Sequence, residues 1–180
     1  QVDYLAELKQ KFGYQGVYAP SLGITDQNGQ TTYFGNAFLT TLPILDFAYH
    51  YDQKPSPKII STNHPILDLD KKARVVAAWD LPTVVLTGLI EYQGKIVRNL
   101  TTHFRVTQHC SETNQTVEHA RWLISLLKQS KDLPLILSGD FNIHPNSYSI
   151  CLLEEKLVMV NQESINTLNP TIHPAVLGGD

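Results

Sequence analysis

Pro134 to Ser138 is a short apolar run that stops abruptly at the polar turn Gly139-Asp140-Phe141-Asn142. A run of this length predicts a strand buried on both faces, because a buried helix needs ten or more residues. Such a strand requires a covering layer on each side, and many strands with a few interposed helices indicate a layered α/β or α+β domain.

The rest of the chain agrees with that expectation. Asp3 to Phe12 reads as a helix with Leu5, Leu8 and Phe12 on one face and Gly13 as its stop. Strands are predicted at Val17–Pro20, Thr32–Thr41, Ile44–Tyr51, Ala73–Trp79, Thr83–Tyr92 and Lys95–His103. Gly35 marks a bulge or a close backbone approach, and Gln93-Gly94 joins the last two strands as a hairpin. The segments Ser21–Thr31 and Asp52–Pro65 read as loops. Asn114 is expected to cap a helix to about Gln129, with Val117, Ala120, Ile124 and Leu127 on its buried face. Ser147 opens another helix to about Glu155, and Val158–Val160 is expected as a final strand.

With 180 residues the chain is expected to form one domain, large enough for a substantial core. Charged residues make up only 17%, which suits much buried strand. Net charge is −3 and the sequence pI about 6.2. That balance argues against a broadly basic nucleic-acid surface, although a bound metal supplies positive charge locally. Lys71-Lys72-Ala73-Arg74 is the basic run, read as a solvated strand entry. Cys110 and Cys151 allow one disulfide or two buried thiols, with free thiols the expectation. No apolar stretch approaches the roughly 18 residues of a membrane span, so a soluble protein is expected; the compartment stays open, with a cytoplasmic one favoured. Gln1-Val2-Asp3-Tyr4 reads as the interior of a domain, so the chain is expected to begin in mid-domain.

The chemistry concentrates where the apolar run ends. Alternate residues of an extended segment face one way, so Asp140 and Asn142 are expected on the same side. A carboxylate there orients and deprotonates a water, and an amide N–H donates to a phosphate oxygen.

Gly139-Asp140-Phe141-Asn142, after an apolar strand and before Pro145 and Ser147, resembles the signature of the endonuclease/exonuclease/phosphatase superfamily, the fold of deoxyribonuclease I. Asn99-Leu100-Thr101-Thr102-His103-Phe104 resembles its strand ending in Thr-His-Leu. The segment from Tyr33-Phe34-Gly35-Asn36-Ala37-Phe38 to Pro43-Ile44 resembles its Gly-Asn-Ala stretch. The three occur in the family's order, with a helix between the second and third. The resemblance implies a layered α/β sandwich of two packed mixed β-sheets flanked by helices, present here in part. It implies hydrolysis of a phosphoester, as a nuclease, phosphodiesterase or phosphatase. Asp140 would activate the attacking water, Asn142 would hold the phosphate and His103 would donate to a phosphoryl oxygen. It implies Mg²⁺, or Mn²⁺ in its place, and a substrate that is a nucleic acid, a phospholipid headgroup or a small phosphate ester.

Two parts of the family pattern are missing. Its first strand and its Gln-Glu-Val strand, whose Glu binds the metal, would precede Val2, which puts Gln1 at the metal position. A neutral amide binds Mg²⁺ less well than a carboxylate does. The family's closing strands and Ser-Asp-His turn would follow Leu177-Gly178-Gly179-Asp180. The chain is thus expected to be a piece truncated at both ends, or one whose missing segments are supplied elsewhere.

Two alternatives belong to other classes. One is a catalytically inactive relative that binds a phosphorylated ligand or a protein, consistent with Gln1. The other is a zinc site from His103, His109, Cys110 and His119, whose spacing fits no compact zinc pattern. Serine-hydrolase, P-loop and dinucleotide-binding motifs are absent from the sequence. His64, His144 and His173 each precede a proline and are expected in solvent-facing loops.

Overall fold

The computed structural model describes residues 3–52, 57–63, 82–107, 110–129 and 132–160. The strand expected at Ala73–Trp79, the basic run at Lys71, and Gln1, His64, His109, His173 and Asp180 lie outside these residues. The chain divides into two compact units. The first falls within Gln1–Thr62, Pro82–His103 and Ser130–Asp140, the second within Asn63–Leu81, Phe104–Gln129 and Phe141–Asp180.

In the first unit, helix α1 spans Tyr4–Phe12, with Asp3 as its N-cap and Gly13 as its stop. The Asp3 carboxylate accepts the Ala6 N–H at 3.0 Å, which satisfies one of the helix's orphan donors. Strand β1 (Gln15–Thr25) lies between β2 (Thr31–Thr40), antiparallel, and β4 (Lys58–Ser61), parallel. The second sheet has the order β3 (Ile44–Tyr51), β5 (Val84–Tyr92), β6 (Lys95–His103), β7 (Leu135–Asp140). Its first two pairings are antiparallel and the last is parallel. Both sheets are therefore mixed.

Two segments expected as loops contain strand. Ser21–Thr25 continues β1, because the turn chemistry is confined to Asp26–Gln30, where Asp26 Oδ1 accepts the N–H groups of Asn28 and Gln30. Lys58–Ser61 pairs with β1 although prolines precede it, because Ile59 and Ile60 favour a pleated surface.

Gly35 is a close approach, as the sequence suggests. A Cβ there would lie 2.0 Å from the Ala19 carbonyl oxygen, beside the register shift between Pro20 and Leu22. The next residue, Asn36, is buried and donates from Nδ2 to the Val84 carbonyl at 2.6 Å, tying β2 to β5 in the other sheet. Ala19, Val84 and Leu86 form the core between the sheets, with Val17, Phe38 and Tyr51 packed around them. Each large apolar side chain buried there stabilises the fold by about 2 kcal/mol.

Strand β7 departs from the expectation of burial on both faces. Among the described residues it ends the order of its sheet, and Ile136 is 53% exposed while Leu135 and Leu137 are half-buried. Apolar composition alone does not separate a central strand from an end strand whose outer face alternates. Val158–Val160 is not a strand; both valines are almost fully exposed.

The second unit holds α2 (Asn114–Lys128) and α3 (Tyr148–Glu154), which pack together. The cap of α2 is Thr113, not Asn114. The Thr113 hydroxyl accepts the Thr116 N–H, and the Thr116 hydroxyl accepts the Thr113 N–H. Its buried stripe runs through Thr116, His119, Ala120, Leu123, Leu126 and Leu127. Val117 and Ile124 are only half-buried, so the stripe is rotated from the expected one. The β-branched residues suggested the wrong phase because Thr116 and His119, both polar, lie inside. Both cysteines are free thiols, Cys110 buried and Cys151 exposed.

Candidate active site

Strands β6 and β7 run parallel and end level, with His103 the register partner of Asp140. Alternation along β6 turns Thr102 inward, where it is 1% exposed, and leaves His103 outward. His103 Nε2 lies 4.0 Å from Asp140 Oδ2, and both side chains are about half exposed, 54% and 53%. The sequence thus selected two residues that the first unit brings together at the carboxyl ends of adjacent parallel strands. In open α/β sheets that end of the strands is where ligands bind.

Gly139 makes this pairing possible. Its φ is 150°, and a Cβ would lie 2.0 Å from the Thr102 carbonyl oxygen and 3.0 Å from the Thr102 nitrogen. Any side chain would push β7 off β6 just before Asp140. The glycine of the Gly-Asp-Phe-Asn run is therefore fixed by backbone contact.

Asn142 belongs to the second unit. Its backbone is left-handed, with φ 49°, so the extended geometry that led us to expect its side chain beside that of Asp140 does not continue past β7. The residue is 4% exposed, and its Nδ2 donates to the Phe104 carbonyl at 2.9 Å. Asparagine tolerates the left-handed region better than most residues, which suits it to this position. Phe104, 1% exposed, stacks on His119 with ring centroids 4.2 Å apart and tilts against Phe141 at 5.1 Å. His119 in turn meets Trp122 edge-on at 5.3 Å. His119 is thus a core residue of the second unit.

Glu112 was not anticipated from the sequence. Its Oε2 accepts the Ser149 N–H at 3.1 Å, and its Oε1 accepts the Ser149 and Thr116 hydroxyls. Burial raises its pKa, but the hydrogen bonds from Ser149 and Thr116 outweigh burial and hold the carboxyl below its usual value. The signal available was the Ser-Glu-Thr sequence at the head of α2, which reads locally as capping and gives no sign of a partner 37 positions away. Ser147, expected to open α3, makes no side-chain cap bond, and Glu112 supplies one at Ser149 instead.

Among the described residues no group of three or more His, Cys, Asp or Glu side chains is arranged to hold a metal ion. Asp140 contributes one carboxylate and His103 one imidazole, whereas Mg²⁺ is ordinarily held by one or two carboxylates with waters and substrate oxygens completing its shell. His144 is exposed, as expected of a loop histidine. A shallow depression of about 490 Å³ in the first unit is lined by Lys9, Tyr14, Gln15, Ile44, Asp46 and Phe47, and neither His103 nor Asp140 borders it. No helix among the described residues is long and apolar enough to cross a membrane.

No family model matches the chain, and no curated protein matches it. Solved structures do. An endonuclease/exonuclease/phosphatase from Bacteroides vulgatus is 15% identical with a TM-score of 0.55, over 84% of this chain and 52% of that one. A mannosyl-6-phosphatase from Bacteroides thetaiotaomicron is 20% identical with a TM-score of 0.53, over 84% and 52%. An endonuclease/exonuclease/phosphatase family protein from the same organism is 19% identical with a TM-score of 0.52, over 84% and 50%. The chain therefore has the deoxyribonuclease I-like α/β fold of endonuclease/exonuclease/phosphatase proteins. It spans about half the length of the solved structures it matches.

Proposed function

We propose that this chain is the part of a phosphoester hydrolase that carries its water-activating carboxylate. The observation that carries the reading is the level ending of β6 and β7, which sets His103 Nε2 4.0 Å from Asp140 Oδ2 at an open strand end. The Asp140 carboxylate accepts a proton from a water held against it. The imidazole beside it donates to an oxygen of the phosphoryl group as negative charge develops there. The phosphate-holding role that the resemblance implies for Asn142 is a separate part of the proposal; within the second unit its amide is oriented by the Phe104 carbonyl. A requirement for Mg²⁺, or Mn²⁺, belongs to the same proposal. Among the described residues no three ligating side chains gather for either ion, and Gln1, which the resemblance sets at the metal position, lies outside them.

The likeness to a mannosyl-6-phosphatase supports a small phosphate ester as one substrate class. The net charge of −3 favours a compact phosphoester or lipid headgroup over long nucleic acid, whose binding relies on many cationic contacts.

The test is hydrolysis of an aryl phosphodiester, a sugar phosphate and plasmid DNA by the full-length protein, with and without Mg²⁺. Turnover that needs the metal and drops about a hundredfold or more in Asp140→Asn and His103→Ala supports the assignment. Turnover unchanged in both variants overturns the assigned roles. Absence of both turnover and metal binding in the full-length protein favours the non-catalytic, phosphate-binding reading.

A further inference from the structure

Two segments of the second unit are fastened to each other twice. One follows β6 and begins at Phe104; the other follows β7 and carries Asn142. The first fastening is the Asn142 Nδ2 bond to the Phe104 carbonyl. The second is the Glu112 carboxylate on the N–H and hydroxyl of Ser149, a residue with no exposed surface. Between them, the Thr107 hydroxyl donates to the Ser111 carbonyl at 2.8 Å, and the Cys110 N–H donates to the Thr107 carbonyl. Glu112 is itself held by the Thr116 hydroxyl at 3.1 Å, in the first turn of α2. The Asn142 turn is thus anchored at its start by its own amide and at its end by a carboxylate rooted in a longer helix.

We propose that Glu112 is a positioning residue for Asn142, fixing through Ser149 the turn on which the Asn142 amide is held. The proposal rests on the reading of Asn142 as a phosphate-holding group. Left-handed backbone, which asparagine tolerates but does not prefer, is kept in place by surroundings that hold it there. Asn142 is in that state. A charge-assisted bond to a buried N–H and hydroxyl is a strong restraint of that kind. Ser147 makes no side-chain cap bond of its own, so nothing local in the helix start replaces it.

The test is a double-mutant cycle of Glu112→Ala and Asn142→Ala in the full-length protein. It combines phosphodiester kinetics with amide hydrogen exchange. Glu112→Ala is expected to lower kcat/KM about tenfold in the wild-type background and to have little further effect once Asn142 is alanine. Exchange is expected to rise about tenfold across residues 141–149 while β5 and β6 keep their protection. Glu118→Ala, an exposed glutamate on the same helix, serves as the control and changes neither reading. An equal loss in both backgrounds, or no loss in either, overturns the proposal, because Glu112 would then stabilise without positioning. If the wild-type protein hydrolyses no phosphoester, the functional reading fails by itself. The exchange experiment then decides the clasp: no rise at residues 141–144 overturns it.

Discussion

His103 and Asp140 are register partners at the ends of two parallel strands, with Nε2 and Oδ2 4.0 Å apart. The pair owes its geometry to backbone pairing that continues to its last residue, and little to the attraction between the side chains. At this exposure any attraction between the two side chains is largely screened by water.

Residues acting as a unit are not additive. Asp140→Asn and His103→Ala are each expected to lower kcat/KM on a phosphodiester by about a hundredfold or more. The double variant should lose much less than the product of the two. A full multiplicative loss in steady-state kinetics would mean that the two act independently.

Gly139→Ala tests the strand pairing. With a Cβ directed into the Thr102 carbonyl, β7 must shift from β6, at a cost of about 3 kcal/mol in urea unfolding. Activity should fall with it, since Asp140 is the next residue.

Asn36→Ala removes the bond that crosses between the sheets and leaves the Val84 carbonyl without this donor. The expected loss is about 2 kcal/mol by chemical denaturation. Asn36→Asp should be no better, because a carboxylate has no hydrogen to offer a carbonyl.

Glu112 gives stability a sign with pH. Its folded pKa lies below its unfolded value of 4.5, so the ionised form is the one the fold favours. The contribution is complete above pH 4.5 and is lost as pH falls through the folded value. Thermal melts between neutral pH and pH 3 should therefore show a steeper acid loss in the wild type than in Glu112→Gln. Parallel curves would assign the acid loss to other carboxyl groups.

Much of this fold was legible because its determinants are local. The β3 and β6 boundaries, the Gln93-Gly94 hairpin and the close approach at Gly35 follow from pleat-compatible runs and turn residues. The phase of α2 was misread because Thr116 and His119 are polar yet buried, held by a capping box and an aromatic stack that pattern alone does not reveal. The site divided in the same way. His103 and Asp140 stood out as chemistry-bearing residues at strand ends. The left-handed turn at Asn142 and the Glu112–Ser149 bond depend on partners 37 and 38 positions away. Residue type carries no trace of such pairings.

The parallel pairing of β6 and β7 also sets when the site can come into being. A hairpin such as β5–β6 closes through a two-residue turn, whereas β7 must wait until the whole crossover containing α2 has been drawn in. His103 and Asp140 therefore meet late in folding. Pulse-labelled refolding should protect amides of the β5–β6 hairpin before those where β7 joins β6. A chain arrested between these stages would hold a formed hairpin and still lack its reactive pair.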